Sequence, residues 1–241
     1  MKKILLSIIL IVLFGSIIYS SYNIMLWFKD NKKTNDLIIN IKEEVYKTDV
    51  DEKLDEEQDK IDFNKLIQIN NETVGWIEIK ENGINYPIVR HKDNSHYLNH
   101  SFDNTYNDAG WIFLDYRNNL NSLDKNNIIY AHGRIDGSMF GSLKYIYNEK
   151  YFSNDSHNIY IYTPTRNYIF EVFSFYHIKT TNDYLQTSFN NDKEFIDFIN
   201  LLKKRSRYNF NVLLDANDKI ITLSTCYNNS EKLVVHAKLI R

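Results

Sequence analysis

The sequence predicts a mainly β domain, an eight-stranded closed or nearly closed barrel, behind an apolar N-terminal helical segment. Three observations predict it. Short β-branched or aromatic runs recur between Asn, Asp and Gly turns from Phe63 onward. One segment with helical rather than strand periodicity interrupts them, and an uncharged apolar run precedes everything else.

In chain order, Ile4–Phe28 (ILLSIILIVLFGSIIYSSYNIMLWF) comes first. A helix of about 20 residues crosses the hydrocarbon layer, so this run is long enough to span a bilayer. Lys2 and Lys3 before it favour a cytoplasmic N-terminus, although Lys29, Lys32 and Lys33 beyond it reduce that asymmetry. A cleaved signal peptide is the competing reading; the run is longer than a signal core and lacks a small-x-small cleavage site before Trp27. Residues 1–28 are therefore expected to be a transmembrane signal-anchor. Residues 29–61 are expected to be a polar helical stalk, with Leu37, Ile38, Ile41 and Val45 at helical spacing and an acidic cluster at Asp49–Asp59 that reads as a solvated face.

Residues 62–241 form the expected β domain. Its strand-like runs are VGWIEI, INYPIV, GWIFLDY, NIIYAH, NIYIYT, YIFEVFSFY, KIITLSTC and KLVVHAKLI. Asp192–Arg207 (DKEFIDFINLLKKRSR) places Phe195, Phe198, Ile199 and Leu202 on one helical face, which predicts a helix inserted before the strand that carries the cysteine. Composition agrees with such a domain. Hydrophobic residues make up 43% and charged residues 25%, the balance of a globular fold, and 18 Tyr and 14 Phe against 2 Pro suit strands. A net charge of -2 supplies no basic surface for nucleic acid, and one cysteine excludes an internal disulfide framework or a cysteine-rich zinc site.

That cysteine, Cys226, ends an alternating strand. Ile221 and Leu223 point one way, while Thr222, Ser224 and Cys226 point the other. In the last strand Leu233, Val235, Ala237 and Leu239 form the apolar face, opposite Lys232, Val234, His236 and Lys238. If the apolar faces line the barrel, Cys226 and Lys232 project onto its outer, polar side, where an inert structural thiol is out of place. A thiol with an ordinary pKa of about 8.5 is mostly protonated at neutral pH and needs a neighbouring base or cation to react. His132 ends the apolar run Ile128–Ala131 and precedes Gly133, a strand-end position that opens onto a groove. His91, His96 and His100 lie in a polar segment and read as solvated.

T-L-S-T-C at 222–226 and Y-A-H-G at 130–133 resemble the cysteine and histidine motifs of the sortases, membrane-anchored cysteine transpeptidases of Gram-positive bacteria. Further segments resemble the class B branch: N-E-T-V-G-W-I-E-I (71–79), I-N-Y-P-I-V (84–89), D-N-S-H-Y-L-N-H-S-F (93–102), G-W-I-F-L-D-Y-R-N (110–118) and M-F-G-S-L (139–143). The helix before the cysteine strand is also similar to that branch. The resemblance implies a sortase-type eight-stranded barrel with Cys226 as nucleophile and His132 as acid and base. The reaction would cleave a C-terminal sorting signal after Thr through a thioester, then join the protein to a peptidoglycan amine. It implies no cofactor and no metal. It also implies a single-pass cell-membrane protein with an extracellular catalytic domain, whose partners are secreted proteins bearing a sorting signal and a peptidoglycan precursor or cross-bridge amine.

The family's third catalytic residue is an arginine, and here Lys232 stands in its place. A lysine offers a point charge without the planar fork of donors. Three explanations compete: Lys232 substitutes, Arg134 or Arg241 reaches in, or the protein is a slow hydrolase or a tethered peptide-binding module. The resemblance further places Asn94, Leu98, Tyr130, Thr180, Tyr184, Leu185 and Ser224 along the substrate groove.

Overall fold

Each alternating run becomes a strand in the computed structural model, and the strands pair into a ring. The structure describes residues 2–46, 61–147, 157–226 and 230–241, the side chains of residues 146, 147 and 226 excepted. The acidic cluster Asp49–Asp59 lies outside the described residues. The chain divides into two compact units, Met1–Ile41 and Lys42–Arg241.

The first unit belongs to helix α1, Lys2–Val45, which runs on without a break past residue 28. Two of its serines are satisfied within the helix: the Ser7 and Ser16 hydroxyls donate to the carbonyls of Lys3 and Leu13 at 3.0 and 2.7 Å, so they need no outside partner. With a mean hydropathy of 2.5 over its most apolar window, none of it buried, the helix is long and apolar enough to cross a membrane.

The second unit holds the barrel. Its strands are β1 (Thr73–Ile79), β2 (Ile84–Val89), β3 (Phe113–Leu114), β4 (Asn126–Tyr130), β5 (Asn158–Tyr162), β6 (Asn167–Lys179), β7 (Ile220–Cys226) and β8 (Glu231–Leu239). They close in the order β1-β2-β3-β4-β7-β8-β6-β5, which leaves no open edge. Most neighbours are antiparallel; β4 and β7 run parallel, with Tyr130 opposite Ser224. The β4–β7 pair, parallel as β2–β3 also is, brings the ends of two functional motifs side by side.

Two helices pack onto the barrel. Helix α2, Phe63–Ile69, starts at Asp62, whose carboxylate accepts from the backbone N–H groups of Asn64 and Lys65. Helix α3, Asp192–Arg205, is capped by Asn191, carries Asp192 and Glu194 in its first turn and Lys203, Lys204 and Arg205 in its last, and so matches the helix dipole at both ends. Its expected face is the buried one. Phe195, Phe198, Ile199 and Leu202 form a cluster with Phe173, Tyr176, Tyr184, Ile220 and Val234.

This cluster corrects one expectation. The strand parity of β7 and β8 is as read from the sequence, but the face carrying Thr222, Ser224 and His236 is not an open polar surface. Thr222 and His236 are 0% exposed and Ser224 is 4% exposed, because α3 and the segment before it cover them. Alternation assigns residues to a face; it does not say which later element lies over it.

Candidate functional site

The site grows from the end of β4. That strand is hydrogen-bonded between β3 and β7, and beyond Tyr130 the chain leaves the sheet, bringing the half-buried His132 to the rim. The His132 Nε2 lies 2.7 Å from the Leu98 carbonyl oxygen. A carbonyl only accepts, so Nε2 carries a hydrogen and, in the neutral ring, Nδ1 is the basic nitrogen.

Leu98 is presented by a 3₁₀ turn, His96–Leu98. The Asp93 carboxylate starts the turn by accepting from the backbone N–H groups of Ser95 and His96, and these bonds with that of the Ser95 hydroxyl lower its pKa well below the usual range. Gly110 is required beneath this contact. At a φ of +60° it sits in the left-handed region, and a Cβ there would meet the Tyr97 and Leu98 carbonyl oxygens at 2.6 and 2.8 Å. His91, His96 and His100 remain partly exposed and stack on one another with ring centroids 4.3 and 4.1 Å apart.

Opposite the histidine, β7 contributes Ser224 and Thr225, and the backbone of Cys226 pairs with that of Lys232 at the start of β8. The third wall is the segment after β6, with Thr180, Tyr184 and Leu185. Together with Leu98, Tyr130, His132, Ser224 and Lys232 they line one groove of about 260 Å³. Thr181, Asn182, Ala131 and Thr225 complete the described lining and were not singled out by the sequence. Tyr184 and Ser224 exchange a hydrogen bond of 3.0 Å between hydroxyls, tying the third wall to the cysteine strand.

Asn94 is placed differently. It does not line the groove; its amide donates to the Asp115 carboxylate at 2.9 Å, while its carbonyl oxygen accepts from the Tyr116 N–H at 3.0 Å. Asp115 is a fully buried carboxylate. Burial alone would raise its pKa, but hydrogen bonds from Arg117 and Tyr130 and the Arg117 charge outweigh it and hold the group below its ordinary value. Arg117 grips it in a fork, Nε to Oδ1 and Nη2 to Oδ2, both at 2.8 Å, and the same Nη2 donates to the Leu185 carbonyl at 3.1 Å. Tyr130 donates to Asp115 at 2.9 Å; burial first, then that carboxylate, pushes the phenol's pKa far up, so it stays a donor. Asp115 and Arg117 are residues that the sequence reading missed. Their signal was an acidic residue directly after an apolar strand run, with an arginine two positions on.

Of the cations considered, Lys232 alone lines the groove. Arg134 lies 3.7 Å from the Asp136 carboxylate, and Arg241 sits past the far end of β8, its backbone paired with Ile169. Among the described residues no group of three or more His, Cys, Asp or Glu side chains is arranged to hold a metal ion.

Comparison with known proteins agrees with the architecture. A family model for the Sortase domain matches residues 77–240. Sortase B of Listeria monocytogenes is 34% identical over 95% of this chain and 94% of its own length. Sortase B of Staphylococcus aureus is 34% identical over 74% of this chain and 75% of its own. Among solved structures, sortase B from B. anthracis in complex with AAEK1 superposes with a TM-score of 0.75 at 37% identity, covering 90% of this chain and 99% of that one. The Staphylococcus aureus sortase B–substrate complex gives a TM-score of 0.70 at 34% identity, covering 74% and 84%.

Proposed function

We propose, from the premise that this chain belongs to the sortase family and is a class B cysteine transpeptidase, that Cys226, His132 and Lys232 carry its chemistry. The observation that supports this reading is the groove itself, which gathers His132, Lys232 and Ser224 at the end of the strand that carries Cys226. In this proposal an extended sorting signal lies along the wall formed by Thr180, Tyr184 and Leu185 and against Leu98 and Tyr130.

The Cys226 sulfur, as thiolate, attacks the carbonyl carbon of the substrate's Thr. Lys232 places its positive charge near the oxygen that becomes anionic. The C–N bond then breaks. His132 as imidazolium gives its Nδ1 proton to the departing amine, and a thioester remains. An incoming peptidoglycan amine attacks the same carbon, His132 takes up its proton, and the thiolate leaves. One amide is exchanged for another without an external energy source. Residues 1–28 act as the membrane anchor, 29–61 as the stalk and 62–241 as the catalytic domain, with that domain outside the cell.

The test uses the full chain in detergent micelles with quenched peptides of N-P-x-T and S-P-x-T type and an added amine acceptor. Cleavage and amide formation are expected in the wild type, and neither in Cys226→Ala or His132→Ala. Lys232→Ala should lower kcat/KM by about a hundredfold, and Lys232→Arg should retain activity. No cleavage by the wild type across the library would point to a peptide-binding module. Cleavage without amide formation would point to a hydrolase. An unaltered rate in Lys232→Ala would remove Lys232 from the mechanism.

A further inference from the structure

Under the third wall of the groove lies a buried polar chain that none of the residues assigned above explains. It begins at the barrel side of the wall. The Asn126 amide, 0% exposed, donates to the Tyr184 carbonyl at 3.3 Å and to the Gln186 carbonyl at 2.9 Å. Its carbonyl oxygen is 2.7 Å from the Thr222 hydroxyl, which is 2.8 Å from His236 Nδ1. His236 Nε2 is 2.9 Å from the Tyr176 hydroxyl. Arg205, on the last turn of α3, lies over the Tyr176 ring, 5.9 Å from its centroid, and grips the Asp183 carboxylate with both terminal nitrogens. Asp183 belongs to the wall, so the chain leaves the wall at Asp183 and returns to it at Tyr184 and Gln186.

The chemistry allows only one direction through it. Asn126 spends its N–H groups on carbonyls, so its oxygen must accept from Thr222. Thr222 has one hydrogen and has given it, so it accepts from His236 Nδ1–H. The neutral ring then accepts at Nε2 from the Tyr176 O–H. Every link is a donor facing an acceptor, from the Tyr176 hydroxyl to the wall carbonyls. A second hydrogen on the His236 ring would face the Tyr176 donor and break the sequence. Burial first, and the Arg205 charge second, hold the His236 pKa down to about 3, so the ring stays neutral.

We propose that His236 is a positioning residue for the transpeptidase: acting through Thr222 and Asn126, it holds wall segment 184–186 against the barrel and so sets affinity for the extended peptide. This rests on the reading that the groove takes the sorting signal. The hydrogen bonds are buried, so each is worth more to the wall's position than an exposed one. The chain lies beneath the wall, and it touches neither His132 nor Lys232. Its loss should therefore weaken binding rather than slow chemistry.

The test compares the full chain in detergent micelles with His236→Phe, which keeps a ring and removes both bonds, and with Thr222→Val, which cuts the link between His236 and Asn126. For His236→Phe, KM should rise about tenfold with kcat within about twofold, the scale of losing a buried hydrogen bond. Amide hydrogen exchange at residues 182–186 should accelerate, while exchange in β1 and β2 stays as in the wild type. Thr222→Val should shift both in the same direction, and the double variant should bind no worse than His236→Phe, because links of one chain are not additive.

Unchanged exchange at 182–186 in folded His236→Phe would overturn the inference, as would a fall in kcat with KM unaltered. Should His236→Phe fail to fold, Thr222→Val decides by the same two measurements. Should the wild type cleave no peptide, the proposed function fails by itself, and exchange at 182–186 alone decides the role of His236.

Discussion

The two faces of strands β7 and β8 are equally buried and are held by different forces. Toward the barrel interior, Ile221, Leu223, Leu233, Val235 and Ala237 are each at most 2% exposed and present only hydrocarbon. Such packing is strong and non-directional, and volume matters more than orientation. On the opposite face, Ile220 and Val234 pack under α3 while Thr222, Ser224 and His236 sit among them with directed hydrogen bonds. Burying such groups is costly unless every partner is present, so this face tolerates one geometry. The difference teaches where precision resides: the inner face makes the barrel stable, and the outer face holds the groove in register with it.

Substitutions should separate the two faces. The largest effect on stability is expected from Leu223→Ala, about 3 kcal/mol from lost burial and a cavity, measured as a drop in denaturation midpoint. The folded fraction should keep its wild-type KM. Thr222→Val, nearly isosteric, should cost about 2 kcal/mol by leaving the Asn126 oxygen and His236 N–H buried without their partner, and it should raise KM as well. A wild-type KM in that variant would make the outer face no more specific than the inner one.

Acid sharpens the contrast. The unfolded chain takes up a proton on His236 near its ordinary 6.5, whereas the folded protein refuses it until about pH 3. The folded pKa is depressed, so stability is full above pH 6.5 and declines as pH falls toward 3, by up to about 1.4 kcal/mol per pH unit for one proton. His157 and His177, lowered chiefly by burial, add to the same trend. Thermal melts across this window should show a shallower decline for His236→Phe than for the wild type, and parallel curves for Leu223→Ala. The smallest effect is expected from Ile221→Val, about 1 kcal/mol with KM unaltered.

Much of this was legible beforehand because period-two alternation and the helical face of residues 192–205 are local properties. The strands follow the eight runs, and Phe195, Phe198, Ile199 and Leu202 are the residues α3 buries. Leu98, Tyr130, His132, Thr180, Tyr184, Leu185, Ser224 and Lys232, drawn from separate parts of the chain, do line one groove. Asn94 does not, since its side chain is engaged with Asp115. Asp115 and Arg117 escaped notice because a charged pair two residues apart in a loop has many harmless uses. Only the approach of Leu185, 68 residues from Arg117, makes it a brace of the groove wall.

By itself the sequence determined the strands, the inserted helix, the apolar span and the motifs around Cys226 and His132, all of which are encoded in side-chain order within a few residues. Tertiary structure alone decided that the Thr222 and His236 face is covered, that Lys232 rather than Arg134 or Arg241 meets the groove, and that one hydrogen-bond direction runs from Tyr176 to the wall. Hydrogen bonds act over about 3 Å, so their partners are chosen by which distant segments the closed barrel brings together. Alternation along a strand carries no record of that choice.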